Sequence, residues 1–236
     1  QTEADAERLR RIGAAHVTVC GNSKYDISAP AAMHALAADF KQRIGNRPVV
    51  VAASTRFYQQ QDEAALLLQA WQAYRGDALL IIVPRHPERF NAVHALCSEQ
   101  FTTVRRSSAA PVDAQTRVLL GDTMGELLFL YALADIAFVG GSLVPTGGHN
   151  PLEPAALALP VLMGPHVFNF LEISAMLREA GGLQQVDDAD GLAGAVRRLV
   201  ELPQDAQRMG EAGRAVMRAN QGALQRLLDG LDALIR

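Results

Sequence analysis

The chain has 236 residues, 49% of them apolar and 20% charged, and 22 Lys and Arg against 25 Asp and Glu leave a formal net charge of −3. At ~150 residues per domain this is one large globular domain or two small ones. It carries no overall basic field to hold nucleic acid or an anionic membrane. Cys20 and Cys97 lie far apart with no CxxC and no neighbouring His pair, which argues against a disulfide framework or a zinc site and reads as two buried thiols.

In chain order, Thr2-Glu3-Ala4-Asp5 reads as a helix start with no strand before it, the opening expected of a fragment. Strands are predicted at His16–Cys20, Pro48–Ala53, Ala78–Val83, Arg117–Leu120, Asp135–Val139, Pro160–Met163 and Leu183–Val186, with Thr102–Val104 a weaker candidate. Several are apolar throughout, as in a parallel sheet covered on both faces. Ala64, Leu67, Leu68 and Trp71 share one helical stripe between them. The alternation predicts an α/β fold, a doubly wound and mostly parallel Rossmann-like sheet.

Arg105–Gln115, polar with Pro111 and two arginines, is the expected mobile loop. Beyond Val186 three helices are predicted, at 188–201, 204–219 and 221–236. The last carries Leu224, Leu227, Leu228, Leu231 and Ile235 on one face, to pack on this sheet or on a second domain. The longest apolar runs, Leu127–Ala134 and Ala155–Met163, fall short of the ~20 residues that span a bilayer, and no basic-then-apolar signal opens the chain. A soluble chain is therefore expected. No Gly/Ser linker divides it, so residues 1–236 are expected to be a single domain, with 1–26 a lead-in and 188–236 the closing helices.

Open parallel sheets bind ligands beyond the carboxyl ends of their strands, so the loops after each strand carry the functional reading. Ser54-Thr55-Arg56 offers two hydroxyls and a guanidinium to a phosphate at the next helix start. Pro84 and Pro87 stiffen a turn that fixes Arg85 and His86 as an anion clamp. In Gly121–Leu127, Asp122 or Thr123 is expected to cap the next helix, while Met124 and Gly125 permit close approach of a flat ring. The pairs Gly140-Gly141 and Gly147-Gly148 would let backbone amides face an anion. Glu153, near a helix start after Pro151, is placed to accept both hydroxyls of a ribose. His166 and Asn169 could line the same crevice, with Phe168 or Phe170 as its apolar wall. The histidines fall in separate loops without an aspartate pair, so no metal is expected.

Taken together, GNSKYD (21–26), AASTR (52–56), PRHPERF (84–90), GDTMGEL (121–127), GGSLVPTGGHNPLEPAA (140–156) and GPHVFNF (164–170) resemble the 3-deoxy-D-manno-octulosonic acid (Kdo) transferases, in the right order up to about residue 175. The resemblance implies a GT-B glycosyltransferase, of which this chain looks like the C-terminal, nucleotide-sugar-binding half. Such enzymes transfer Kdo from CMP-Kdo to a lipid A precursor in lipopolysaccharide assembly, with no further cofactor. The other half would hold the membrane anchor, the acceptor surface and the catalytic base, so the whole protein is expected at the cytoplasmic face of the bacterial inner membrane.

By this resemblance Arg85 and His86 meet the CMP phosphate or the Kdo carboxylate, and Met124, Gly125 and Glu126 lie near the nucleotide. Ser142, Gly147, Gly148, His149 and Asn150 line the donor cleft, Glu153 holds the ribose, and Lys24 approaches the donor carboxylate. Only Ser54, Thr55 and Arg56 carry over from the second motif. Where relatives have a Gly-Glu-Glu-like stretch, this chain reads Phe57-Tyr58-Gln59-Gln60-Gln61. The implied chemistry is displacement at the anomeric carbon through an oxocarbenium-like transition state as CMP departs. The alternatives are the donor half of another GT-B enzyme, such as a UDP-sugar transferase or epimerase, and a non-catalytic nucleotide-binding module.

Overall fold

The apolar runs pair into one sheet of seven parallel strands. A computed structural model describes residues 1–27, 31–45, 47–108 and 110–235. The strands are β1 (Val49–Thr55), β4 (Leu79–Pro84), β5 (Thr103–Arg105), β6 (Val118–Leu120), β7 (Ile136–Val139), β8 (Val161–Met163) and β9 (Leu183–Gln185), in the order β5-β6-β4-β1-β7-β8-β9. Strands β2 (Phe57–Tyr58) and β3 (Gln61–Asp62) form a separate antiparallel hairpin. Ten α-helices stand among the described residues: α1 (Glu3–Arg11), α2 (Ala31–Arg43), α3 (Glu63–Tyr74), α4 (Phe90–Ser98), α5 (Leu127–Leu133), α6 (Leu152–Ala156), α7 (Leu171–Glu179), α8 (Ala189–Glu201), α9 (Pro203–Asn220) and α10 (Ala223–Ile235).

Side chains alternate across β1, so both faces need cover. Val50 and Ala52 join a core with Leu67, Leu68 and Trp71 of α3 and Leu192 and Val196 of α8. Val49, Val51 and Ala53 face Ala37 of α2 and Leu130, Tyr131 and Leu133 of α5. Every residue of β1 except Ser54 is buried, which is why this strand shows no polar alternation.

The predicted strand at His16–Cys20 does not form. The segment has no ladder partner, and His16 and Thr18 are exposed. The edge strands of the sheet are β5 and β9, and the segment pairs with neither. The segment is held instead by side chains, Arg10 Nη2 donating to the Val17 carbonyl (3.3 Å) and Arg226 Nε to the Cys20 carbonyl (3.0 Å). Cys97 is buried as expected; Cys20 is only half-buried.

The helix predicted at the start is α1, closed by a capping box between Thr2 and Asp5. Just beyond it, the Asp26 carboxylate accepts the N–H groups of Gly222 (2.6 Å) and Leu224 (2.7 Å) and so caps α10 from the far end of the chain. The leucine stripe of α10 does not pack on the sheet: Leu224, Leu227, Leu228 and Leu231 are 45–51% exposed. Arg236, at the predicted end of this helix, lies outside the described residues. The stretch expected as a mobile loop opens as the end of β5 and a 3-10 turn at Arg106–Ser108; Ala109 within it lies outside the described residues.

Candidate functional site

From β1 the chain first winds through β4, β5 and β6 on one side, then crosses back over β1 to β7 and out to β9. The loops after β1 and β7 therefore diverge at a topological switch point, where an open α/β sheet leaves a crevice.

At the end of β1, Ser54 has φ +58° and forms a bulge, so that Ala53 pairs with Val83 and Thr55 with Pro84. A non-glycine residue held in this region stores strain and is the kind of feature found at functional sites. Thr55 is buried; its carbonyl accepts the Arg85 N–H at 3.0 Å, so its part is to hold the next loop rather than to offer a hydroxyl to solvent. No helix starts directly after Arg56, where the sequence reading places one. The β2–β3 hairpin intervenes, turning through Gln59 (φ +44°) and Gln60 (φ +70°). The N-terminus of α3 is already occupied, since Asp62 accepts the Ala64 N–H (3.1 Å) and pairs with Arg89.

Four basic side chains gather across the crevice mouth. Arg56 Nη1 lies 2.7 Å from His86 Nε2, and His86 Nδ1 faces Glu88 at 3.8 Å. Arg85 is exposed and makes no ion pair among the described residues. His149 faces the same group: burial first, and then Arg56, Arg85 and His86, lower its pKa from 6.5 to about 4. A neutral ring therefore stands among basic side chains.

The glycine loop corrects the sequence reading. The amides of Gly141, Ser142 and Leu143 are already held by an internal carboxylate, and those of Gly140 and Gly148 by backbone carbonyls. Glu63, fully buried, accepts Arg56 N–H (3.0 Å) and Gly141 N–H (2.6 Å) at one oxygen, and Ser142 N–H (3.0 Å) and Leu143 N–H (2.9 Å) at the other. Burial pushes its carboxyl up, against these four donors. Gly140 donates to the Ala53 carbonyl, Gly148 to that of Gly141, and His149 to that of Gly140. Glu63 went unnoticed in the sequence although it stands in phase with Leu67, Ala70 and Tyr74 on the buried face of α3; a carboxylate on a core stripe was the available signal.

The structure also separates framework from lining among the remaining candidates. Ser142 is fully buried, its hydroxyl donating to the Val139 carbonyl (2.6 Å) and accepting the Gly164 N–H (2.8 Å), so it ties two loops together and does not line the cleft. Gly147 has φ +92°, and a Cβ there would lie 2.3 Å from Asn169 Nδ2. Asn169 grips this turn through its N–H to the Gly147 carbonyl and its amide to the Thr146 carbonyl, both 3.0 Å. His166 is half-buried, its N–H on the Ser142 carbonyl. Lys24 is exposed, its ammonium 5.7 Å above the Phe170 ring at the margin of this cluster. Asn150 turns back on the Leu152 N–H and bonds to Glu153, whose carboxyl burial pushes up.

Neither Asp122 nor Thr123 caps α5; its N-cap is Glu126. Asp122 is drawn inward by Arg105 Nε (2.6 Å), the Ser107 N–H (2.9 Å) and the Ser107 hydroxyl (2.6 Å). Thr123 donates to Glu126, which also pairs with Arg106 at 2.8 Å. Met124 stands 67% exposed beside Gly125, and Gly125 and Glu126 border a groove of about 1120 Å³ running toward Phe40 and Phe129. Among the described residues no three His, Cys, Asp or Glu side chains gather as a ligand set, and no helix is long and apolar enough to cross a membrane.

Residues 37–216 match the family of glycosyl transferases group 1. The chain is 46% identical to a 3-deoxy-D-manno-octulosonic acid transferase of Haemophilus influenzae, over 90% of this chain and 50% of the relative. It is 38% identical to a transferase of the same name from Bordetella pertussis, over 98% of this chain and 55% of the relative. It thus spans about half the length of the curated relatives it matches. Among solved structures, the C-terminal CMP-Kdo binding domain of WaaA from Acinetobacter baumannii superposes with a TM-score of 0.74 at 35% identity, over 80% of this chain and 99% of that one. A seven-stranded parallel sheet of GT-B type, its crevice at the switch point, and these matches together place the chain in the glycosyl transferases group 1 family, among the homologues of the 3-deoxy-D-manno-octulosonic acid transferases.

Proposed function

We propose that this chain is the donor-binding half of a Kdo transferase, taking CMP-Kdo in the crevice between the β1 and β7 loops. The observation that carries the reading is the cluster of Arg56, Arg85, His86 and His149 at the switch point. CMP-Kdo brings two anionic groups, a phosphate and a sugar carboxylate, and two guanidiniums suit them by planar, bidentate hydrogen bonding. Glu153 accepts the ribose hydroxyls, and the exposed Met124 with Gly125 receives the flat base. Lys24 approaches the carboxylate from the rim. No metal or further cofactor enters this reading.

As the glycosidic bond to CMP breaks, negative charge builds on the departing phosphate and positive charge on the anomeric carbon. Arginines already fixed in the crevice stabilise the phosphate without reorganising, and half-buried His149 can take up a proton as that charge arrives. The acceptor hydroxyl must lose its proton to a base. Glu63 is sealed under four amides and Glu126 is tied to Arg106 and Thr123, so neither is free to serve. In this proposal the base belongs to the other half of the whole protein, which also meets the lipid A precursor at the cytoplasmic face of the inner membrane.

The purified chain is expected to bind CMP modestly and to transfer no Kdo. Incubation with CMP-Kdo and lipid A precursor, beside a CMP titration, tests both statements. Transfer by the chain alone would overturn the division of labour and require a base within it.

A further inference from the structure

We propose that Glu63 is the positioning residue of the donor crevice, a buried internal anion that sets the separation of Arg56 from His149. An ionised carboxylate has about four lone-pair sites, and four backbone N–H groups fill them here. Successive amides converging on one anion form a nest; in this chain the nest is filled by the protein itself.

Two arms lead from that carboxylate to the crevice. On one, the Arg56 backbone is gripped twice, its N–H on Glu63 Oε2 and its carbonyl on the Glu63 N–H, both at 3.0 Å. The β2–β3 hairpin therefore leaves and returns at one fixed point, and its tip has no lever on Arg56. On the other arm, Gly141 is held by its N–H, and its carbonyl holds the Gly148 N–H (2.7 Å) and the Thr146 hydroxyl (2.9 Å). The Gly140 carbonyl then holds the His149 N–H at 3.1 Å. Gly140 fits only because it lacks a Cβ, which would lie 2.9 Å from Glu63 Oε2. An apolar residue in place of Glu63 would orphan four buried amides at once, which accounts for a charge kept at full burial.

Glu63→Gln keeps the volume but turns an NH₂ toward two N–H donors, so the loop must shift. Its effect on CMP depends on the donor-binding reading above; its effect on the His149 ring does not. The experiment compares wild type and Glu63→Gln well below the melting temperature of each, by CMP and cytidine calorimetry and by NMR titration of the His149 imidazole. The expected result is CMP affinity lowered about ten-fold or more, cytidine affinity changed far less, and a His149 titration moved from its wild-type position. A role in stability alone would lower the melting temperature and leave all three unmoved. Wild-type CMP affinity with an unmoved His149 titration would overturn the proposal while leaving the donor reading intact. Failure of the wild-type chain to bind CMP would defeat that reading, and the His149 ring then decides the role of Glu63. If Glu63→Gln is unfolded, Glu63→Asp, which keeps the charge on a shorter stem, is measured in its place.

Discussion

Replacing His149 with Gln should flatten the acid limb of this chain's stability curve. The imidazole pKa lies at about 4 in the folded chain, lowered from 6.5 by burial and by the charges of Arg56, Arg85 and His86. Because the folded value is the depressed one, the unfolded chain takes up the proton first. Stability is then lost as pH falls from about 6.5 to about 4 and changes no further below that. Linkage between these two values puts the loss between pH 7 and pH 5 at about 2 kcal/mol, or about 4–8 °C of melting temperature for a chain of this size. Gln does not titrate, so subtracting its pH 7-to-5 change from that of wild type removes the carboxylates common to both. Thermal melts at the two pH values suffice. An equal change in both proteins would refute the depressed titration, and with it the picture of a neutral ring facing uncompensated cations.

Arg85→Lys keeps the charge and loses the planar fork, so CMP affinity should fall while cytidine affinity holds; calorimetry in which both fall alike would reject the phosphate contact. Glu153→Gln should weaken CMP by about 1.5–3 kcal/mol if a charged hydrogen bond to ribose is lost, with little change in melting temperature. Unaltered CMP affinity would reduce Glu153 to a helix-start residue. Gly140→Ala drives a Cβ to 2.7 Å from the Ala53 carbonyl and 2.9 Å from that of Ser54, and overpacking of this kind should cost about 1–3 kcal/mol in denaturant unfolding.

The central strands were legible because both of their faces are buried, so that Val49–Ala53 and Leu79–Val83 read as unbroken apolar runs. His16–Cys20, where Val17 and Val19 alternate with His16 and Thr18, forms no strand, since pairing depends on tertiary contacts that no local window reveals. The loops were legible for a different reason: Arg85 and His86 follow directly on β4 and His149 lies in the connection after β7, and the sheet brings such strand ends together. Glu63 was not, because its partners Gly141, Ser142 and Leu143 lie 78–80 residues away. The same distance hid the fate of the Gly141 amide, which Glu63 already holds. Ser142 and Thr55 likewise read as lining hydroxyls until the packing turned them inward.

The central claim, that this crevice takes the CMP end of CMP-Kdo, is tested most directly by titrating the purified chain with CMP, UMP and cytidine in a calorimeter. The account predicts saturable CMP binding, weaker UMP binding through the base, and weaker cytidine binding through the missing phosphate. Equal affinity for CMP and UMP, or no binding of CMP at all, would contradict it.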